Sequence, residues 1–419
     1  MVLGILTHYS GLWLIKMRIL QINSVYKVGS TGKIVDSLAS ELRGQGCDVF
    51  TCYGLGDSHY DDYSRKICHN LEHNVNALWA RISGIPYGGI YLANQRIVRF
   101  VKQYRPNVVH VHCVNAFTIN IYRLLKYLAK NDIKTVVTLH AEFFHTGSCS
   151  HAFDCEKWKM GCHHCEEYKF LTASRFFDRS NTAWKRMRDA FSGFKPENIA
   201  ITAVSPWLSE RAKQSPFLDR FMITYVPNGI NTKVFHYRTS IGLIDKEAYI
   251  KTVLFVVPYF NMEEGDLKGG RFLTLIAKKH PQYIFVVVAG RTNGHIGKLP
   301  SNVQLWGKAK TQEELAQLYS ESDATILFSK RETFSMVTAE SLCCGTPVVG
   351  FRAGGPESIA MEDYSRFVRY ANVQDLSDAL NECLDITANP AEISNLAISA
   401  YSQEKMAALY FEVYRKLLK

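Results

Sequence analysis

Residues 323–359 read DATILFSKRETFSMVTAESLCCGTPVVGFRAGGPESI and predict one β-strand, α-helix, β-strand unit. The apolar, β-branched run 324–328 predicts a buried strand, and the polar run SKRETF predicts the loop after it. Ser335 is a suitable N-cap and Gly345 a suitable C-terminal stop for a helix over 336–344. The run PVVG that follows predicts the next strand, so the segment indicates a parallel sheet covered by helices.

Two carboxylates, Glu332 in the predicted loop and Glu340 on the predicted helix, stand eight positions apart. This spacing alone does not align two helical side chains, but a loop carboxylate can lean over the start of the helix. Free N–H groups in the first turn favour phosphate oxygens because they carry the positive end of the helix dipole. These N–H groups belong to Phe334, Ser335, Met336 and Val337. The pattern fits a polyhydroxylated group beside a diphosphate; the alternative is two ordinary solvated charges.

The run ETFSMVTAESLCCGTPVV resembles the E-x7-E segment of glycosyltransferase family 4, whose members are retaining and use nucleotide sugars. The flanking strand and the later GGPE run fall in the same order. The resemblance implies an α/β protein with the GT-B fold, in which two Rossmann-like, doubly wound domains face a cleft. It also implies that Glu340 binds the nucleotide ribose and Glu332 the hydroxyls of the transferred sugar. Gly354 and Gly355 would let the backbone close on the sugar and phosphates.

Length and composition set wider bounds. The 419 residues suit two domains, and 47% hydrophobic with 21% charged residues is typical of a globular protein. The formal net charge of +10 suits an anionic partner, which includes nucleic acid, anionic lipid and a diphosphate substrate. The chain has no recognition-helix pattern, so we do not expect nucleic acid as a partner.

The domain boundaries follow from the resemblance and the hydrophobic pattern. We expect an acceptor-binding domain over 17–205, a linker over 206–245, a nucleotide-sugar-binding domain over 246–390, and a helical tail over 391–419 that crosses back to the first domain. Residues 1–16 are apolar, without a basic start or a cleavage site, and too short to span a bilayer. They represent either an over-extended start or a membrane-surface anchor.

A glycine-bearing turn joins the first predicted strand, 18–23, to an amphipathic run, 34–43. Such a turn lets the backbone approach a ligand and offers amides to phosphate, although the pattern is weak and a simple tight turn fits equally well. The matching loop of the family lines the cleft. The resemblance therefore adds Gly29, Thr31 and Gly32 to the predicted donor site.

Histidines stand at the ends of two further predicted strands, in VVHVH and TVVTLH. Ligands bind outside the carboxyl ends of strands in an open α/β sheet, which is where these imidazoles would lie. His140 resembles the acceptor-side histidine of the family, and we expect it to hydrogen-bond the acceptor hydroxyl or the donor sugar. For His110 and His112 we favour a structural role, with one side chain buried and the other near the rim.

Four of the eleven cysteines lie together in CSHAFDCEKWKMGCHHC, as Cys149, Cys155, Cys162 and Cys165. In a reducing compartment such a cluster favours structural zinc, with free thiols and disulfides as the alternatives. His151 and the two histidines of GCHHC are substitute ligands. The T-G-x-C, D-C-x-x-W-K and G-C-x-x-C pieces resemble a branch of family 4 that builds bacterial exopolysaccharides such as colanic acid.

The predicted diphosphate clamp departs from the family pattern. Family 4 proteins normally carry Gly-Arg after the first strand of the second domain and Lys-Gly soon afterwards, and the two cations neutralise the departing diphosphate. Here Lys268 supplies the lysine, but Pro258 and Tyr259 stand at the arginine position. Arg271 or Arg291 could replace the arginine. A Lys-Gly helix start without a ligand is the alternative interpretation of this stretch.

Basic and aromatic residues interleave over 169–194, which fits either one face on an anionic bilayer or ordinary amphipathic packing. We therefore expect a peripheral protein at the cytoplasmic face of the inner membrane. The predicted function is a retaining hexosyl transfer from a UDP- or GDP-sugar to a lipid-linked saccharide in exopolysaccharide or O-antigen synthesis. No Asp-x-Asp motif is evident, so we expect no catalytic metal. The alternative is a catalytically silent sugar-nucleotide-binding subunit.

Overall fold

The computed structural model describes residues 17–90, 92–172, 174–292, 294 and 296–419. The N-terminal extension 1–16, interpreted above as an over-extended start or a surface anchor, lies outside these residues. The described chain forms two parallel β-sheets joined by helical connections. This architecture confirms the prediction of an α/β protein with two Rossmann-like units.

The first sheet contains the earlier strands of the chain. Their bounds are β1 (Arg18–Val25), β2 (Asp48–Leu55), β3 (Ser64–Lys66), β4 (Val108–Val111), β5 (Thr135–Leu139), β6 (Ile199–Ala203) and β7 (Met222–Tyr225). They pair in the order β3-β2-β1-β4-β5-β6-β7, and each neighbouring pair is parallel. The order reverses between β1 and β4, which leaves a crevice at their carboxyl ends.

The second sheet repeats this plan with fewer strands. Their bounds are β8 (Lys251–Val257), β9 (Tyr283–Ala289), β10 (Val303–Gly307), β11 (Ala324–Leu327), β12 (Val348–Phe351) and β13 (Ser365–Val368). They pair in the order β10-β9-β8-β11-β12-β13, again all parallel, and the order reverses between β8 and β11. The predicted site residues follow β8 and β11, so they lie at this second crevice.

Helices connect and cover the strands. Those of the first domain are α1 (Gly29–Gly44), α2 (Asn70–Ser83), α3 (Leu92–Tyr104), α4 (Ile121–Lys130), α5 (Phe143–Thr146), α6 (Tyr168–Leu171), α7 (Ser180–Phe191) and α8 (Pro206–Lys213). Those that follow are α9 (Arg271–Lys279), α10 (Gln312–Glu321), α11 (Met336–Cys343), α12 (Gly355–Ile359), α13 (Val373–Leu384), α14 (Pro390–Tyr401) and α15 (Gln403–Leu418).

Burial explains why the central strands are so apolar. The β1 side chains Ile19, Leu20 and Ile22 are all fully buried although successive residues face opposite sides of the sheet. A parallel sheet is covered by helices on both faces, so both sets of side chains leave water. Such burial contributes about 25 cal/mol for each Å² of apolar surface removed from water.

Helix α1 begins earlier than the sequence pattern predicted. We expected the amphipathic run to start at residue 34, but the helix begins at Gly29, so the glycine-bearing turn forms its first turn. Gly29 has a φ of +66°, which a residue with a side chain rarely adopts. A Cβ at Gly32 would lie 3.2 Å from Val25 Cγ2, so glycine allows this turn to pack closely on the strand before it.

The chain crosses between the domains twice, and the two crossings touch. Ile230 N donates to Tyr401 O at 2.7 Å, and Gln403 N donates to Ile230 O at 3.2 Å. Ile230 and Ser402 thus form a parallel bridge, which we call the paired crossing. A Cβ at Gly229 would lie 2.8 Å from Gln403 Cα, so this close approach requires glycine.

After the paired crossing, α15 returns to the first domain. Its apolar side chains join those of α1 in one buried cluster that includes Ile34, Leu38, Tyr410 and Tyr414. The elements that immediately precede α15 in the chain belong to the second domain. Helix α15 nevertheless helps to build the core of the first domain.

Candidate active site

The loop between β11 and α11 forms the centre of the site. Ser335 has a φ of +82°, a left-handed conformation that is uncommon for a residue with a side chain. Its hydroxyl accepts the Thr338 N–H at 3.2 Å and caps the helix, as the sequence predicted. Strain at such a position is typical of functional loops because the surrounding structure has to hold it.

Lys268 and Glu332 form an ion pair across the second crevice. Lys268 Nζ donates to Glu332 Oε1 at 2.8 Å, and Ser329 Oγ donates to the same oxygen at 2.6 Å. Burial would raise the pKa of Glu332, but the Lys268 ammonium and these hydrogen bonds outweigh it and lower the pKa. The side chains remain 29% and 14% exposed, so both can meet a ligand.

Glu340 lies in a different electrostatic setting. Burial raises its pKa to about 7, although a hydrogen bond from Tyr319 OH at 3.3 Å and the charge of Lys33 lower it. The charges of Glu340 and Glu332 both raise the pKa of Tyr319, so the two carboxylates approach the same phenol. Lys33 belongs to α1, which means that the first domain faces Glu340.

The start of α11 leaves backbone donors unused. In the described part of the chain, the N–H groups of Phe334, Ser335, Met336 and Val337 have no acceptor within the protein. The next amide, that of Thr338, is bound by the Ser335 hydroxyl. Unpaired amides at a helix start favour anions because they carry the positive end of the helix dipole, and phosphate binding at this helix stays a prediction.

Gly354 and Gly355, predicted to let the backbone close on the sugar and phosphates, make their own contacts within the protein. The Gly354 N–H donates to Glu357 Oε1 at 2.8 Å, and the Gly355 N–H donates to Glu332 O at 2.9 Å. Their amides are therefore engaged within the protein. Their missing side chains matter instead: a Cβ at Gly354 would lie 2.6 Å from the Trp207 ring, and one at Gly355 would lie 2.4 Å from the Thr333 carbonyl carbon.

His140 connects the first domain to this loop. Its carbonyl accepts the Thr333 hydroxyl at 2.8 Å, which places the end of β5 against the residue beside Glu332. Its Nε2 lies 3.2 Å from His112 Nδ1. Burial lowers the pKa of His140 to about 4, so the ring is neutral at physiological pH and acts as a hydrogen-bonding group.

The structure corrects our expectation for the other two histidines. His110 and His112 are both fully buried, whereas we expected one of them near the rim. His110 Nδ1 lies 2.7 Å from Tyr414 OH, because α15 returns to cover this part of the sheet. His112 stacks against His110, with ring centres 3.7 Å apart, and is covered by His140. The structural role that we favoured for both agrees with this burial.

Arg291, one of the two candidates to replace the family arginine, follows β9. Phe260 N donates to Arg291 O at 2.9 Å, which extends the second sheet and brings the guanidinium to 5.9 Å from the Tyr259 ring centre. Tyr259 in turn interacts with the charge of Lys268. The other candidate, Arg271, is paired with Glu264 at 2.9 Å.

Several residues that the sequence did not single out surround the cleft. Arg331 is 14% exposed and packs over Trp207, with 5.2 Å from its guanidinium carbon to the ring centre. Glu142 is fully buried and accepts from Arg211 Nε at 2.8 Å and from Ala152 N at 2.9 Å. It therefore fixes the loop that carries the first cysteines. No local pattern indicates these contacts, since the partners are distant in sequence.

His151 is a second missed residue, considered above only as a substitute metal ligand. The charges of Lys268 and Glu332 both act on its pKa, which burial lowers, so its ring lies close to the ion pair. Its Nδ1 is buried and has no hydrogen-bond partner in the described chain. His151 lines a cavity of about 240 Å³ together with Asn115 and Ser150. A polar group of a ligand in this cavity would give His151 Nδ1 a hydrogen-bond partner.

The cysteine segment lines a larger cavity of about 850 Å³ between the two domains. Burial raises the pKa of Cys162, and the charges of Cys149, Cys155 and Cys165 raise it further, so the four thiols lie near one another. However, no group of three or more His, Cys, Asp or Glu side chains within the described residues could hold a metal ion.

The thiols adopt the contacts of free cysteines. Cys162 Sγ donates to Thr146 O at 3.7 Å, Cys149 Sγ lies 3.8 Å from Ser148 Oγ, and Cys155 is exposed. The residues therefore do not fit the predicted structural zinc, and no step of the mechanism below uses a metal.

Comparison with known proteins identifies the family. The model described as Glycosyltransferase Family 4 matches residues 31–234, and the model described as Glycosyl transferases group 1 matches residues 272–399. The first range includes most strands of the first sheet, and the second includes most strands of the second sheet. The chain belongs to glycosyltransferase family 4. It is a retaining glycosyltransferase that uses a nucleotide sugar.

Relatives of this family 4 enzyme extend over its full length. The putative colanic acid biosynthesis glycosyl transferase WcaC of Escherichia coli is 21% identical over 96% of this chain and 100% of that protein. Sucrose-phosphate synthase from Thermosynechococcus elongatus has a TM-score of 0.66 at 15% identity, covering 96% of this chain and 99% of that one. Anabaena HepE in complex with UDP has a TM-score of 0.64 at 14% identity, covering 95% and 100%. These structures support the GT-B fold.

Among the described residues, no helix is both long enough and apolar enough to cross a bilayer.

Proposed function

We propose that this family 4 enzyme transfers a hexose from a UDP- or GDP-sugar to a lipid-linked saccharide during exopolysaccharide or O-antigen assembly. The observation that carries the proposal is the Lys268–Glu332 pair, which lies beside the unpaired amides of α11 and, through Thr333, against His140. The full-length likeness to WcaC supports the pathway, and the HepE complex with UDP-glucose supports a nucleotide-sugar donor.

On the donor side, cations and amides surround the position proposed for the diphosphate. Lys268 would approach it from the connection after β8 and Arg291 from the end of β9, and the N–H groups at the start of α11 would approach it from the other side of the crevice. Glu332, kept ionised by its lowered pKa, would accept hydrogen bonds from hydroxyls of the sugar. Glu340 would accept hydrogen bonds from the hydroxyls of the nucleotide ribose.

On the acceptor side, the imidazole at the end of β5 is neutral. His140 has a pKa of about 4, so it would orient the acceptor hydroxyl by hydrogen bonding without acting as a charged acid. His151 would provide a second hydrogen bond from the cavity that it lines. Neutral imidazoles suit a saccharide, whose hydroxyl groups carry no charge.

The reaction needs no protein nucleophile. The acceptor oxygen would form its bond to the anomeric carbon on the same face from which the diphosphate oxygen leaves. The electron pair of the broken bond stays on the diphosphate, whose departing oxygen takes the acceptor proton. Lys268 and the α11 dipole would stabilise the charge that grows on this oxygen, a form of electrostatic catalysis.

Thermal unfolding against a panel of nucleotide sugars tests the proposal. A donor present at a hundred times its dissociation constant stabilises the folded state by about 2.7 kcal/mol. We expect one donor to raise the Tm of the natural protein and of the exposed control Glu313→Ala, but not of Glu340→Ala. If no nucleotide sugar changes the Tm, the proposed donor site is wrong.

Slow donor hydrolysis without acceptor separates an active enzyme from the silent-subunit alternative. The absence of the family arginine at Pro258 favoured that alternative, whereas the position of Arg291 beside Tyr259 favours a complete clamp. We expect release of nucleoside diphosphate from the stabilising donor. Binding without any hydrolysis or transfer would favour the silent subunit.

A further inference from the structure

Helix α2 exposes its apolar face. Five apolar side chains, Leu71, Val75, Leu78, Trp79 and Ile82, are between 38% and 74% exposed. At about 100° per residue they fall within an arc of about 100°, so they form one continuous stripe on the helix. We call this set the α2 stripe.

The opposite face of α2 is the one that packs on the protein, and it is polar or small. Its buried residues are Glu72, Asn76, Ala77 and Ala80. Glu72 accepts from Arg96 at 2.6 Å, and Asn76 bonds the backbone at Phe117 and Ile90. A surface helix normally buries its apolar stripe, so α2 is inverted. Such an arrangement indicates that another apolar phase covers the stripe.

Aromatic residues extend this surface beyond the helix. Arg175 N donates to Arg81 O at 3.0 Å, which places the following residues against the C-terminal end of α2. Phe176 and Phe177 there are 63% and 53% exposed. A Cβ on Gly84, the residue that ends α2, would lie 2.8 Å from the Phe177 carbonyl oxygen. The apolar patch thus comprises the α2 stripe and two phenylalanines.

Arginines surround the same end of the patch. Arg81, Arg175 and Arg179 are all exposed, and Arg179 packs against Gly84. The nearby acidic residue, Asp178, is held by the N–H groups of Cys165 and Ser180. Apolar side chains next to a cluster of cations match the interior and the headgroups of an anionic bilayer.

We propose that the α2 stripe, Phe176 and Phe177 form a docking surface for an anionic membrane. Charge complementarity selects this occupant. A second copy related by a two-fold axis would bring the same arginines face to face, which is unfavourable. Trp79 stands at the border of the stripe, where an amphipathic indole suits the bilayer interface.

The surface adjoins the acceptor side of the cleft, which deepens the proposed function on which this step rests. Phe170 is 70% exposed and lines both interdomain cavities together with Leu171. Pro86 and Tyr87, which follow α2, line the cavity that holds His151. A lipid-linked saccharide anchored in the docked membrane would therefore reach the cleft without leaving the bilayer.

Vesicle co-sedimentation of the full-length chain tests the docking surface. We expect binding to vesicles of phosphatidylcholine with phosphatidylglycerol and little binding to phosphatidylcholine alone. The variant Leu78→Ser/Trp79→Ser/Ile82→Ser should bind at least about tenfold more weakly. The matched control, Ile241→Ser/Ile250→Ser, replaces two isoleucines that lie outside the patch and are each 71% exposed. This control should bind the vesicles as the natural protein does. Arg175→Gln/Arg179→Gln should lose the preference for phosphatidylglycerol.

Three outcomes would overturn the docking surface. The first is equal binding by the stripe variant and the natural protein. The second is a lipid-free dimer, seen by analytical ultracentrifugation, that the stripe variant abolishes. The third is loss of vesicle binding on removal of residues 1–16 while the stripe variant still binds. The donor-induced Tm shift is measured on the same samples: its presence in the stripe variant shows an intact fold. Vesicle binding without any donor shift would leave the docking surface standing while the proposed transfer fails.

Discussion

The donor and acceptor sides of the cleft use the same sheet geometry with opposite electrostatics. On the donor side, Lys268 and Glu332 are ionised and paired at 2.8 Å. On the acceptor side, His110, His112 and His140 are buried and neutral, because burial lowers the pKa of each. The difference suits the ligands proposed above: a diphosphate brings charge that must be balanced, whereas a sugar hydroxyl brings only hydrogen-bonding groups.

Loss of the donor-side ion pair should have the largest effect on activity. We expect Lys268→Met to lower kcat/KM by about 10²–10³-fold, because the diphosphate loses its cation and Glu332 its partner. The unpaired Glu332 should also destabilise the fold by about 1–3 kcal/mol. Steady-state kinetics and urea unfolding measure both effects.

The controls for this change separate charge from folding. Lys279→Met removes an exposed lysine of the same domain and should leave kcat/KM unchanged. In Lys268→Met/Glu332→Gln no charge is left unpaired, so stability should return while activity stays low. The pKa of Glu332 is lowered in the folded state, so the stability due to the pair is present above its ordinary pKa and lost as the pH falls further. An active Lys268→Met enzyme would contradict the donor-side assignment.

The acceptor side should respond differently. We expect His140→Ala to slow transfer by about 10–100-fold through loss of one hydrogen bond to the acceptor. The donor should still raise the Tm of this variant, because His140 makes no donor-side ion pair. A lost donor shift together with lost transfer would show that the imidazole serves the donor, and the contrast between the two sides would fail.

Arg291 tests whether the donor clamp is complete. Arg291→Ala should raise the donor KM by about tenfold, since the diphosphate would lose one of its two proposed cations. Arg271→Ala should change KM little, because Glu264 already engages Arg271. The reverse ranking would assign the role of the missing arginine to Arg271.

Glu340 should make the stability of the fold depend on pH, which is the smallest effect expected here. Its folded pKa of about 7 lies above its ordinary value of 4.5, so the folded state binds more protons than the unfolded state between these values. Stability therefore falls as the pH rises through this window. Glu340→Gln should be about 1–3 kcal/mol more stable than the natural protein at pH 8, and about equal to it at pH 4. Thermal unfolding at several pH values measures the difference.

The same substitution sharpens the functional comparison. If ionised Glu340 binds the ribose, the donor KM should increase as the pH falls below 7, and Glu340→Gln should abolish this dependence. His140 is already neutral throughout this range, so a remaining pH effect in the variant would point to a group outside both sides of the cleft.

The secondary structure around the site could be predicted from the sequence because it depends on neighbouring residues. The Ser335 cap, the Gly345 stop and the alternation of strand and helix each depend on a few neighbouring residues. The Lys268–Glu332 pair spans 64 positions, so the sequence indicated both residues but not their contact. His151 escaped notice as a site residue because its environment is assembled from Asn115, Ser150 and the second domain.

The inverted helix shows a second limit. Periodicity reveals that α2 is amphipathic, but not which face meets water, and the usual rule assigns the apolar face to the core. Here Glu72 and Asn76 hold the polar face of α2 against the protein, through partners on other elements. The position of α15 over the first sheet is likewise a long-range outcome, and it covers His110, the first histidine of VVHVH.

The paired crossing has a mechanical consequence. Two segments of backbone are joined by hydrogen bonds at Ile230 and Ser402, where the chain passes between the domains. A domain movement that separated these segments would have to break both hydrogen bonds. We therefore expect the two segments to move together when the cleft opens or closes. Each closure would return the same backbone to the same alignment, so substrate exchange would not require the two halves to search for each other.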